Sequence, residues 1–218
     1  MDKKLAVFFA AVISSVLLGC GGPDLKQYES LKEPAINKIQ DQKVLACELK
    51  GNPNDTSMQG IKAVFKVYYG LKGVPGSVAP RARWPLSLDT PKNEWVGVFA
   101  VPVPDSITEI PDQKDAKVNV ELKTWKYGEV AEILHIGAYD KEAPTVEKLT
   151  AFIKEKGYKI AGAHEEEYLK GPGMFFKGNP DNYYTIIRYP IEKIKVEKAK
   201  TKSVKTKTKA KSVKTKKK

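Results

Sequence analysis

Residues 164–168 read His164-Glu165-Glu166-Glu167-Tyr168 and gather side chains able to hold or move a charge. In an extended strand neighbouring side chains point to opposite faces. His164, Glu166 and Tyr168 therefore share one face, and Glu165 and Glu167 share the other. A carboxylate flanked by an imidazole and a phenol can pair with a cation or take part in proton transfer. On pattern alone the run also reads as a solvated edge strand whose charges deter aggregation. His135 lies on a different strand from His164, and no Cys or paired acid stands at a useful ligand spacing, so no metal site is expected. The chain has no G-x-S-x-G elbow and no Walker A loop. Gly171-Pro172-Gly173 with Gly178 lacks dinucleotide-loop spacing and reads as a turn-rich loop carrying Met174, Phe175 and Phe176. No cofactor is expected.

The two cysteines suggest different fates. Residues 1–20 read MDKKLAVFFAAVISSVLLGC. Lys3 and Lys4 precede an apolar run from Leu5 to Leu18, which as a helix would extend about 21 Å, short of the roughly 30 Å hydrocarbon core. That length fits the apolar region of a secretory signal, 1–19, better than a permanent span. Leu17-Leu18-Gly19-Cys20 directly behind it resembles the lipobox of bacterial lipoproteins. The resemblance implies cleavage before Cys20 and a diacylglycerol on its thiol, with each buried CH₂ adding roughly 0.8 kcal/mol to anchorage. The alternative is an uncleaved signal anchor. Gly21 after the cysteine, rather than Asp, implies the periplasmic face of the outer membrane in a Gram-negative host. Cys47, within Val44-Leu45-Ala46-Cys47, is left unpaired and is expected to be a buried, inert thiol.

Charge is distributed unevenly. The 218 residues carry a formal charge of +12, but residues 198–218 hold eleven Lys and no acid, which leaves +1 for the rest. The tail repeats Lys-Ser-Val-Lys-Thr-Lys at 202–207 and 211–216 and has neither Arg nor aromatics, so it offers nucleic acid no bidentate or stacking contacts. Residues 192–218 are expected to be disordered. They are either simply solvated or a polycation for anionic lipid or cell-wall polymer.

Between the termini, residues 20–41 are polar, contain Pro23 and Pro34, and read as the lipidated Cys and its tether. Residues 42–191 have ordinary globular composition and are long enough for one sizeable core. The pattern predicts a strand at Val44–Leu49, then a helix capped at Thr56 with Gln59 that presents Ile61, Val64, Phe65 and Tyr68. Strands follow at Arg81–Leu88 and Trp95–Val103, where Pro102 and Pro104 signal an edge or an early stop. After Val118–Trp125 the order repeats: strand Glu129–Ile136, a helix entered at Pro144 and stopped at Gly157, then strands at Lys159–Leu169 and Asn182–Ile191. Strand–helix–strand–strand thus occurs twice, offset by about 87 residues. This predicts an α+β domain of duplicated βαββ units, with helices on one sheet face and a groove on the other.

The second half then becomes recognisable. Ile133–Asp140, Thr145–Leu149, Gly162–Tyr168 and Tyr184–Pro190 resemble the GyrI-like small-molecule-binding domain, the effector-binding domain of AraC-type regulators. Ala138 stands where that family usually has Pro, and residues 42–124 match only in strand order and Trp95. The resemblance implies a pseudo-twofold groove, lined by aromatics over one acid, that binds organic molecules and often hydrophobic cations. Ring faces attract cations, and a partly desolvated carboxylate completes the pairing. The family glutamate falls on Glu166. His164 and Tyr168 share its face, and Trp84, Trp95, Phe99, Tyr139 and Tyr184 are the candidate groove aromatics. No helix-turn-helix segment accompanies the domain.

The expected function is a membrane-anchored binding module for small, hydrophobic or cationic organic molecules. One alternative is a hydrolase with Glu166 as general base and Tyr168 beside it. Another is an envelope lipoprotein that binds a partner protein instead of a small ligand.

Overall fold

The computed structural model describes residues 24–87, 89–114, 116–172 and 178–195. The leader with Cys20, the loop residues Met174, Phe175 and Phe176, and the Lys-rich segment 198–218 lie outside these. The strands are β1 (Ala35–Ile39), β2 (Gln42–Lys50), β3 (Arg81–Trp84), β4 (Val96–Pro102), β5 (Glu121–Trp125), β6 (Gly128–Ile136), β7 (Tyr158–Ile160), β8 (His164–Lys170) and β9 (Tyr184–Lys193). The α-helices are α1 (Pro53–Tyr68) and α2 (Ala143–Glu155).

Two βαββ units, β2-α1-β3-β4 and β6-α2-β8-β9, share one antiparallel sheet ordered β1-β6-β9-β8-β3-β4-β2-β5, with β7 beside the end of β9. In each unit the last strand lies between the other two, and β3 meets β8 on the pseudo-twofold axis. The expected duplication is present and extends to a further strand: β5 and β6 begin 86 residues after β1 and β2. Those leading strands exchange. β1 precedes the first unit but pairs with β6 of the second, and β5 pairs back with β2.

Local chemistry sets the ends of the elements. Asn52 caps α1 by accepting from the Asn54 N–H, with Pro53 in the first turn. Thr56, the expected cap, lies inside the helix and donates its hydroxyl to the Asn52 carbonyl at 3.1 Å. α1 buries Val64, Val67 and Tyr68 against Leu45, Cys47, Phe99 and Val101. Its close approach needs Gly60, where a β-carbon would come within 2.1 Å of the Phe99 ring. Cys47 is buried as expected, and burial pushes its thiol up to about 11. α2 buries Leu149 and Ile153 against Ile133, Ile187 and Ile191. β3 stops at Trp84, ahead of Pro85, and the expected strand 159–169 divides into β7 and β8. β4 ends at Pro102 but lies between β3 and β2, so its prolines stop a strand and do not mark an edge.

The domain starts earlier than position 42. Residues Leu25–Lys32, expected as tether, form a 3₁₀ helix capped by Asp24. Its three-residue turn aligns Leu25, Tyr28 and Leu31, which pack on Leu134, Leu169 and Ile186. This helix covers part of the sheet face that α1 and α2 leave free.

The rest of that face carries an ion network beside an apolar cluster of Val44, Ala46, Ala100 and Trp125. Arg188 donates to Glu165 at 2.8 Å and to Glu132 and Glu167 at 3.0 Å. Arg83 pairs with Glu165 at 2.7 Å and lies 3.9 Å over the Trp125 ring. Arg81 meets Glu167 at 3.2 Å, and the Tyr127 hydroxyl donates to Glu165 at 2.8 Å. Three arginines thus match three glutamates. The edge-strand reading of 165–167 fails here: β8 is internal, and Glu165 has no exposed surface.

Candidate functional site

The face that bears the helices carries the site. Register pairs Trp84 with His164, Ala82 with Glu166 and Glu166 with Ile187. Trp84 and Ala82 pack in the α1 core, while Ile187 and Tyr189 pack in the α2 core. His164, Glu166 and Tyr168 therefore share one face, as alternation predicts, and that face lies over the central strands between the two helices. The expectation that helices and groove would take opposite faces is corrected, because the other face is filled by the 3₁₀ helix and the ion network.

Glu166 is the centre of a hydrogen-bonded set. The Tyr168 hydroxyl donates to its Oε2 at 2.6 Å, and the His164 ring nitrogen Nε2 lies 2.9 Å from its Oε1. His164 Nδ1 lies 2.8 Å from the Tyr189 hydroxyl. Only 12% of the Glu166 side chain is exposed. Tyr139 packs edge-on to Tyr168 at 5.5 Å between ring centres and against Tyr183 at 5.3 Å. Its hydroxyl is seated over Gly171, where a β-carbon would intrude to 2.5 Å. Burial, reinforced by Glu166, raises the phenols of Tyr139 and Tyr168 and pushes Tyr189 up to about 12. All three tyrosines stay neutral near pH 7 and present ring faces and hydroxyls around one carboxylate.

A further acid joins them. Glu142 stands at the N-terminal end of α2, its Oε1 enclosed without a hydrogen-bond partner among the described residues. Burial first, and then the charge of Glu166, pushes its carboxyl up to about 9. One ligand atom from each of Glu142, His164 and Glu166 lies within 4.8 Å of the others, a potential metal-ligating set that the strand-spacing argument did not anticipate. His135, expected as an ordinary strand residue, holds the turn that delivers Tyr139 and Glu142. Its ring nitrogens lie 2.9 Å from the Thr145 hydroxyl and 3.2 Å from the Ala138 carbonyl.

The remaining candidates divide. Trp84 joins the site's margin: with His164 and Tyr189 it lines an open cavity of about 560 Å³, and its buried indole N–H has no partner among the described residues. Trp95 packs on Trp84 with ring centres 5.3 Å apart and donates to the Thr90 carbonyl at 2.6 Å, one layer further out. Phe99 is wholly buried beneath α1 and is core. Tyr184 is corrected: it lies with Leu134 and Ile186 on the opposite face, while its neighbour Tyr183 is the residue that touches Tyr139. A second hollow of about 490 Å³, between α1 and residues 111–120, shares no residue with this site.

Comparison with known proteins agrees with this architecture. The model of the GyrI-like small molecule binding domain matches residues 32–192. An uncharacterized conserved protein from Listeria innocua superposes with a TM-score of 0.63 at 21% identity, over 78% of this chain and 97% of that one. A structure described as a hydrolase from Listeria innocua gives 0.63 at 21% identity, over 77% and 95%. The EcmrR C-terminal domain gives 0.58 at 16% identity, over 74% and 98%. No curated protein matches the sequence. The family match reaches back to Lys32, in agreement with the early start of the folded domain. With its paired βαββ units and the matched span of 32–192, the chain belongs to the GyrI-like small-molecule-binding family.

Proposed function

We propose that this chain is a membrane-anchored module that binds small, hydrophobic organic cations at Glu166. One contrast carries the reading. Of three consecutive glutamates, Glu165 and Glu167 are neutralised by arginines on one face. Among the described residues no Lys or Arg pairs with Glu166, which faces tyrosines and one imidazole. Such a carboxylate lacks its cation, and aromatic faces add attraction of about 0.5–2 kcal/mol for one that arrives. Trp84, Tyr139, Tyr168 and Tyr189 wall the site. Cys20 supplies the lipid anchor in the cell envelope, and the lysines of 198–218 supply attraction to anionic lipid or cell-wall polymer.

The test is a thermal-shift screen of the full-length chain, purified in detergent, against lipophilic cations and neutral organics of similar size. A cation at 100 times its Kd adds about 2.7 kcal/mol to stability. Neutral compounds that raise Tm equally would refute the charge-based reading. Replacing Cys20 with Ser should release the protein from membranes; retention through a high-salt wash would refute the anchor. A hydrolase is the second reading, favoured by the 2.6 Å bond from Tyr168 to Glu166, an acid–phenol pair whose neighbour His164 lines the open cavity. It requires turnover that Glu166→Gln lowers by about 10²–10⁴-fold while substrate still binds.

A further inference from the structure

The arrangement of Glu142 calls for a positive partner. Its Oε1 is enclosed and accepts no hydrogen bond among the described residues, while the Glu166 carboxylate and the His164 ring lie alongside. Both neighbours are already oriented from behind. The Tyr168 hydroxyl holds Glu166 Oε2, which leaves Oε1 facing His164. The Tyr189 hydroxyl holds His164 Nδ1, which leaves Nε2 facing Glu166. Outer bonds of this kind fix ring tautomer and carboxylate orientation in metal sites.

We propose that Glu142, His164 and Glu166 form a three-ligand site for a divalent transition metal of the zinc or cobalt type. The inference uses Glu166 but does not rest on the organic-cation reading. One imidazole and two carboxylates are a donor set suited to such ions, whereas magnesium and calcium favour all-oxygen shells. Metal–ligand bonds of about 2.0–2.1 Å place tetrahedral ligand atoms about 3.3 Å apart. The 2.9 Å contact of His164 with Glu166 is near that spacing. No two of the three ligand atoms are more than 4.8 Å apart, about 1.5 Å beyond that spacing. With the metal on Nε2, the neutral ring carries its proton on Nδ1 and donates it to the Tyr189 hydroxyl oxygen. Three protein ligands leave a fourth position open to water or to a donor atom of an organic ligand.

The experiment is a Co²⁺ titration of the full-length chain after EDTA treatment and dialysis, read in the visible ligand-field spectrum. The expected result is an intense band that saturates at one Co²⁺ per chain and is displaced by Zn²⁺. Glu142→Gln and His164→Gln should abolish it. Tyr189→Phe, which removes a single oxygen and keeps the packing, should weaken binding by about 10-fold or more. Melting curves identify any variant that has not folded, in which case Tyr189→Phe decides. No saturable band, or a band unchanged in Tyr189→Phe and Glu142→Gln, overturns the proposal. Tetraphenylphosphonium is titrated into the metal-free protein in parallel. Its binding without a cobalt site refutes the metal alone, and a cobalt site without its binding refutes the organic-cation reading alone.

Discussion

Replacing Glu142 with Gln should stabilise the metal-free chain at pH 8 and destabilise it at pH 5, where the cost of the amide outweighs the small proton-linkage penalty of the native acid. The Glu142 carboxyl is pushed up to about 9 by burial and then by Glu166, from an ordinary value of 4.5. The native chain therefore keeps a proton that the unfolded chain releases above about pH 4.5. The stability this group contributes is intact below that value and is lost as pH rises towards 9. At pH 8 the linkage spans about 3.5 pH units at 1.36 kcal/mol each, an upper bound of about 5 kcal/mol. Relaxation around a partly open site lowers that figure. The amide of Gln, itself short of a partner, costs about 1–3 kcal/mol of what remains. A net gain of about 1–2 kcal/mol corresponds to a rise in Tm of about 2–8 °C. Melts followed by circular dichroism in EDTA at pH 5 and pH 8 measure the difference. An equal shift at both pH values, or a less stable variant at pH 8, would refute the account of Glu142 as a buried acid strained by Glu166.

Three further outcomes follow from the same geometry. Glu165→Gln leaves Arg83 and Arg188 short of a countercharge and should cost about 3–5 kcal/mol in urea unfolding, where under 0.5 kcal/mol would show the network to be dispensable. Burial alone would raise Glu167, but Arg81 and Arg188 outweigh it and hold the carboxyl below its ordinary value. Its contribution is therefore present above about pH 4.5 and is lost as pH falls further, so an acid titration followed by tryptophan fluorescence should unfold the chain below that point, and Arg188→Met should remove that steepness. Tyr139→Ala should weaken binding of tetraphenylphosphonium about 5-fold or more while Tyr184→Ala leaves it unchanged in calorimetry, and the reverse order would overturn the assignment of faces.

What the sequence reveals and conceals follows from the range of each signal. Alternation is a two-residue rule, so it separates His164, Glu166 and Tyr168 from Glu165 and Glu167 without error. It does not say which face the helices cover, because both faces of β8 are buried, one by apolar and tyrosine packing and one by ion pairs. Tyr184 illustrates the sensitivity to register: one residue separates a ring in the site from a ring behind the sheet. Glu142 is invisible to strand arithmetic because the turn held by His135 and the start of α2 bring it to β8 from another element. The 3₁₀ helix is hidden from the pattern because its apolar residues recur every third position, outside the α-helical period, within a polar stretch. The duplication was legible because its offset is preserved to within a residue between the first strands of the two units.

The central claim, that Glu166 serves a cationic ligand and not the fold, is tested most directly by calorimetric titration of tetraphenylphosphonium into metal-free wild type, Glu166→Gln and the exposed control Glu147→Gln. The account predicts that Glu166→Gln loses about 1–3 kcal/mol of affinity, roughly 5- to 150-fold, while a neutral aromatic of similar size and the Glu147→Gln control are unaffected. Equal affinity for the cation in wild type and Glu166→Gln would contradict it.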